Sequence, residues 1–226
     1  MFKTSNNWQS LRKDFDRYGL IEVCIGEVLR QLKDWISLYK VSSRTLGKHS
    51  NEKQKIVSEN RILTPDEMRG LLKLYPGQFS NTFIDQAIER GDICVGAFVK
   101  GRLAAFLFCS LSTAPDKRGL WVRVKKPYRY GYKSYTNPEY RGLRIRLAYV
   151  SDTFFLDREF THAVSYIERH NLASLKRQHR RGQHSSVGYV IVITLFGLMF
   201  LHHTPGVKKI GFELYQHETE DQVLPT

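Results

Sequence analysis

Tyr135-Thr136-Asn137-Pro138-Glu139-Tyr140-Arg141-Gly142-Leu143-Arg144-Ile145-Arg146 is the stretch on which the reading of this 226-residue chain turns. The tyrosine-rich run from Tyr130 to Thr136 reads as a strand that ends at Pro138, because proline cannot donate to a ladder. A helix is expected immediately after Arg141-Gly142, since Leu143, Leu147, Val150 and Phe154 line one helical face to about Asp157. A strand running into a helix start aims unpaired backbone N–H groups and the positive end of the helix dipole at one point, where an anion binds well. Gly142 lets an anion approach the backbone and Arg141 adds a fixed charge. The same spacing also occurs in an ordinary strand-to-helix turn with a solvated arginine.

Working downstream, Thr161 to Ile167 reads as a strand, Leu172 to Arg181 as a basic helix, and Val187 onward as strands up to Phe212-Glu213-Leu214-Tyr215. Upstream, Ile93 to Val99 and Leu103 to Leu111 are β-rich runs joined by Lys100-Gly101-Arg102, a hairpin signature. Trp121 to Val124 adds a short strand. Thr64-Pro65-Asp66-Glu67 starts a helix: Thr64 is the N-cap, Pro65 takes the first helical position and Glu67 closes a capping box. That helix runs to about Tyr75, Pro76-Gly77 breaks it, and Phe79 to Arg90 forms a second. Nearer the N-terminus, Ile21, Ile25, Val28, Leu32, Trp35 and Tyr39 share one helical face, which must pack on the rest of the chain or form a dimer seam. Ser42 to Lys55 reads as a linker. The fold class is therefore α/β of the α+β type: a mixed, mostly antiparallel twisted sheet flanked by helices, with an N-terminal helical extension and linker over 1–55 and the main domain over 56–226.

Composition is that of a globular protein, with 42% hydrophobic and 25% charged residues. The 35 basic residues against 22 acidic ones leave a net charge of +13, which suits an acidic partner: nucleic acid, an anionic membrane face, a phosphorylated cofactor or an acidic carrier protein. Cys94 and Cys109 fall in apolar runs and read, with Cys24, as reduced thiols. No metal centre is expected, since the only adjacent histidines, His202-His203, stand beside Pro205-Gly206 in an expected loop. Met1 to Leu20 lacks the apolar core of a signal peptide, so a cytoplasmic location is expected. Val187 to Leu201 carries no charge, but it is shorter than the ~20 residues a spanning helix needs and is rich in β-branched residues, so it reads as buried sheet.

The run from Asn137 to Ile145 resembles the GNAT N-acetyltransferase superfamily, in which a strand leads through Pro-x-x-Arg-Gly into the loop that binds the CoA pyrophosphate. Arg141 fits the first position of that loop, while Arg144 and Arg146 stand where small residues are usual. A second segment, Asn171-Leu172-Ala173-Ser174 followed by Arg181-Gly182, resembles the superfamily's Asn-x-x-Ala/Ser helix. Gln183 replaces the aromatic that usually follows the glycine, and Gln178 replaces a common tyrosine. The resemblance covers roughly residues 56 to 215. It implies an acyltransferase that moves an acyl group, in the first instance acetyl, from acetyl-CoA or another acyl-CoA to an amine. It also implies cofactor-binding residues at Thr136, Arg141, Gly142, Leu143, Arg144, Ile145, Arg146, Asn171 and Ser174. Glu168, ending the strand before Asn171, is the candidate general base; as a residue type at a strand end it reads equally as a surface carboxylate.

Two other readings stay open. The same fold can take its acyl group from an acyl carrier protein, which the +13 surplus favours because such carriers are acidic. The chain can also be a non-catalytic basic module that binds nucleic acid through Lys176, Arg177, Arg180 and Arg181, although no aromatic residues interleave with them for base stacking. If Gln178 stands in place of a general acid, no side chain on that helix is essential for protonating the leaving thiolate, His179 being about a hundred degrees out of register.

Overall fold

Hairpin chemistry, caps and hydrophobic period between them build the elements of the computed structural model, which describes residues 20–47, 58–116, 119–143, 145, 152, 154–156, 158–180 and 184–216. In chain order these are α1 (Leu20–Gln31), β1 (Ile36–Thr45), β2 (Glu59–Ile62), α2 (Pro65–Leu74), α3 (Asn81–Glu89), β3 (Ile93–Val99), β4 (Arg102–Ser110), β5 (Thr113–Pro115), β6 (Leu120–Arg123), β7 (Tyr128–Thr136), a 3-10 turn (Pro138–Tyr140), β8 (His162–Glu168), α4 (Leu172–Arg180), β9 (Ser185–Leu195), β10 (Leu198–His203), α5 (Pro205–Lys209) and β11 (Glu213–Gln216). The chain divides into two compact units, Met1–Ser42 with Tyr166–Lys209 and Ser43–Ser165 with Ile210–Thr226.

In the second unit, β4 pairs antiparallel with both β3 and β7, β2 pairs antiparallel with β3, and β7 runs parallel to β8. The β3–β4 connection is a two-residue turn at Lys100-Gly101 with both φ angles positive, the conformation that matches strand twist. Helix α2 carries the complete capping box: Glu67 N donates to the Thr64 hydroxyl, and the Glu67 carboxylate accepts from Thr64 N at 2.9 Å. The Arg61 guanidinium beside Glu67, with that backbone bond, lowers its carboxyl to about 2. Leu46, Ile93, Val95, Cys109, Phe155, Phe160 and Ala163 form one buried core, which draws on residues scattered from 46 to 163. A small antiparallel sheet, β11-β6-β5, takes up the strand expected at Trp121 to Val124.

In the first unit the strand order is β10-β9-β1-β8. Here several expectations are corrected. The N-terminal helix ends at Gln31, and Ile36–Thr45, including Tyr39 and the start of the expected linker, is strand. Trp35 O accepts from Thr194 N at 2.7 Å, so pairing with β9 overrides the helical spacing. The face of α1 that packs is also not the apolar stripe: Val23 is buried and Gly26 lies against Leu172 of α4, while Ile21, Val28 and Trp35 stay exposed. The Glu22–Arg169 ion pair of 2.6 Å adds to that contact. Finally, Val187 to Leu201 is sheet, but only Val190 and Val192 within it are buried, and His202-His203 close β10 instead of lying in a loop. Among the described residues no helix is long and apolar enough to cross a membrane.

Candidate functional site

Strand β7 positions the site. Its parallel ladder with β8 runs Tyr128–His162, Arg129–Ala163 and Tyr130–Val164. Among the described residues the ladder stops there, although β7 continues to Thr136. On its other side β7 stays paired with β4, with Phe106 opposite Tyr135 and Phe108 opposite Tyr132. Two residues of β7, Lys133 and Ser134, thus face the single Leu107, a bulge in which Lys133 takes φ 46°. A central strand with a bulge and an open outer edge offers backbone N–H and C=O groups to an extended ligand.

The strand ends in the turn that the sequence singled out. Pro138–Tyr140 forms one 3-10 turn, so the helix does not begin directly at Arg141-Gly142; the next described helical residue is Asp152. The exposed Arg141 side chain folds back to the strand end, its Nε donating to Thr136 O at 3.1 Å. This leaves its terminal nitrogens beside the turn. Gly142 has φ 80° with nothing within 4 Å of where a Cβ would stand, so the backbone here is open to a close approach. Leu143 and Ile145 are half-buried, while Arg144 and Arg146 lie outside the described residues.

Two buried networks hold β7 in register. Asp152 accepts from Arg44 Nη1 at 2.6 Å and Nη2 at 2.7 Å, from Arg129 Nη2 at 2.8 Å and from Gly47 N at 3.3 Å. Burial alone would raise the Asp152 carboxyl, but the two guanidinium groups outweigh it and hold it below the ordinary carboxylate range. Arg129 also donates to Cys109 Sγ at 3.3 Å, and burial pushes that thiol up. The second network joins strands β3 and β7: Tyr132 donates to Asp92 at 2.6 Å, and Arg90 reaches the same oxygen at 2.8 Å. Burial there exceeds the help from Tyr132 and Arg90, so the Asp92 carboxyl is raised. Neither network was legible in the sequence. Their members are up to 108 positions apart and obey no spacing rule.

Along the open half of β7 stands an aromatic wall. Tyr75 meets Tyr135 at 5.0 Å, Phe79 meets Phe106 at 5.4 Å, and Lys133 Nζ sits 5.5 Å from the Phe83 ring. Tyr132 and Tyr135 therefore pack as sheet-face residues.

The remaining expected residues belong to the other unit. Asn171 Oδ1 accepts from Ser174 N at 3.2 Å and so caps α4, which explains an asparagine there without a ligand. Glu168 ends β8 as expected, half-buried, with an oxygen 3.6 Å from His170 Nε2. Gln178 is buried and accepts from Ser42 Oγ at 3.1 Å, a core role. Lys176 is half-buried, whereas the side chains of Arg177, His179 and Arg180, and all of Arg181 to Gln183, lie outside the described residues. A cavity of about 320 Å³ in this unit is lined by Ile25, Leu38, Arg169, Tyr189, Ile191 and Thr204. Its one cation is neutralised by Glu22, so it is not an anion site.

No protein-family model and no curated protein sequence matches the chain. Among solved structures it is similar to a GNAT-family acetyltransferase from Colwellia psychrerythraea, at 15% identity and TM-score 0.47, over 73% of this chain and 59% of that one. It is also similar to a GCN5-related N-acetyltransferase from Kribbella flavida, at 10% identity and TM-score 0.43, over 71% and 60% of the two chains. A third similarity is to the GCN5-related glucosamine N-acetyltransferase region of a fungal multi-domain β-N-acetylglucosaminidase, at 11% identity and TM-score 0.48, over 72% of this chain and 22% of that one. The chain spans less than two thirds of the length of each.

Proposed function

We propose that the chain is a GNAT-type N-acyltransferase that moves an acyl group, in the first instance acetyl, from acyl-CoA to an amine. The observation that carries the reading is β7: among the described residues its outer half has no ladder to β8, it carries a bulge, and it leads through the Pro138–Tyr140 turn to Arg141-Gly142. Gly131 to Thr136 then pair with the amides of the pantetheine arm as an added strand would, and one N–H of this edge polarises the thioester carbonyl as charge develops on its oxygen. The pyrophosphate lies at Arg141, Gly142, Leu143, Arg144, Ile145 and Arg146, with Thr136 leading in. In the reaction the amine attacks the carbonyl carbon, the C–N bond forms and the C–S bond breaks. Glu168 takes the amine proton, and water protonates the departing thiolate, whose intrinsic pKa of ~8.5 makes it a tolerable leaving group. Alignment of amine and thioester supplies much of the rate.

Native mass spectrometry and calorimetry test the donor. CoA should remain bound in the one and give a measurable Kd in the other, and Arg141→Glu should weaken it at least about tenfold, ~1.4 kcal/mol, because a charge beside the pyrophosphate is reversed. A wild type that binds no CoA, or a variant with equal affinity, would rule out this loop.

A further inference from the structure

The uncharged run that the sequence singled out, Val187 to Leu201, contains a hairpin tip outside the residues assigned to acyl transfer. Strands β9 and β10 are joined by Phe196-Gly197, a two-residue turn with φ 51° and 82°. Leu195 pairs with Leu198 at its base. Lys100-Gly101 makes the same turn between β3 and β4. There the left-handed position is filled by a solvated lysine, but here it is filled by phenylalanine, 97% exposed. That conformation favours Gly, Asn or Asp, and it costs a bulky residue strain. Phe196 thus bears both backbone strain and full hydration, and it contributes no packing in return. Around it, Leu195, Leu198 and Phe200 are exposed on the hairpin, and exposed Trp35 is bonded through its carbonyl to Thr194. From Ser185 to His203 there is no Asp, Glu, Lys or Arg, so the tip can leave water without burying a charge. The rest of the chain supplies the long-range attraction, at +13.

We infer that this tip docks the protein on an anionic lipid bilayer, with Phe196, Leu195 and Leu198 entering the headgroup–acyl boundary and Trp35 at the interface. An apolar tip on a strongly basic protein is the combination that an anionic membrane surface rewards: area is buried at the tip while the charges gather lipid headgroups. Docking by a tip that merely inserts is reversible and needs no spanning helix.

Phe196→Asn tests it cleanly, because asparagine suits this turn and the variant should fold at least as stably as the wild type. The full chain is floated with phosphatidylcholine–phosphatidylserine vesicles and with pure phosphatidylcholine vesicles, and its thermal midpoint and oligomeric state are measured alongside. The expected result is binding to the anionic vesicles that falls about tenfold or more in Phe196→Asn, with the thermal midpoint held or raised. Absence of binding to anionic vesicles overturns the proposal, as does equal binding of the variant, which would reduce the effect to charge alone. A wild-type dimer that Phe196→Asn dissociates, without vesicle binding, overturns it in favour of a second copy covering the tip. None of these outcomes depends on whether CoA binds.

Discussion

Asp152 pairs with two buried guanidinium groups, those of Arg44 and Arg129, and its removal is the sharpest test of what holds β7 in place. Asp152→Asn removes the carboxylate that pairs with both buried guanidinium groups, which should cost about 3 kcal/mol or more at neutral pH. The pH dependence has a definite sign. The folded carboxyl is lowered relative to the unfolded one, so its contribution is complete above the ordinary carboxylate range and is lost as pH falls through the lowered value. Urea unfolding of wild type and variant should therefore differ most near neutrality and converge as pH falls below the ordinary carboxylate range. A gap independent of pH would mean that the effect is packing and not charge. Arg141 differs in kind: it is exposed, so Arg141→Glu should alter CoA affinity and leave the unfolding midpoint nearly unchanged.

Among the elements, β9 depends on a close approach that sequence alone does not announce. A Cβ on Gly206, in α5, would collide with the Val187 carbonyl oxygen, a backbone atom that cannot swing aside. Gly206→Ala should thus destabilise the first unit by about 1–3 kcal/mol, read as a lower urea midpoint. An alanine variant as stable as the wild type would show that α5 can shift off the strand. The capping of α4 by Asn171 belongs to the same scale. Because its oxygen already accepts from Ser174 N, Asn171→Ala should cost about 1 kcal/mol of stability whether or not a donor is present. Loss of CoA affinity in that variant with no loss of stability would instead make Asn171 a ligand contact.

At the scale of the whole molecule, the +13 charge is compatible with either donor, and salt separates them. Acyl-CoA alone should support turnover, with a KM that changes modestly between Debye lengths of ~10 Å and ~3 Å. If only an acylated carrier protein supports turnover, and its KM rises steeply over that range, the donor is the carrier. Retention on nucleic acid without any acyl transfer would favour the basic binding module.

Much of this protein was decided within a few residues of chain. The Thr64–Glu67 capping box, the Lys100-Gly101 hairpin, the strand that ends at Thr136 ahead of Pro138 and the open glycine at 142 all follow from bonds and torsions spanning about four residues. Sequence period failed where partners came from elsewhere. The stripe from Ile21 to Tyr39 has helical spacing, yet β9 draws the chain into a strand after Trp35, and α1 buries Val23 while Ile21 and Val28 stay exposed. The alternation in β9 and β10 likewise fixes two faces but not which one is covered. Asp152 was invisible for the same reason: a charge becomes a clamp only when folding brings Arg44 and Arg129 to it and removes water. Local torsional and hydrogen-bond preferences are properties of the chain itself, whereas burial and charge pairing depend on which distant segment lies across from each residue, and only the tertiary structure decides that.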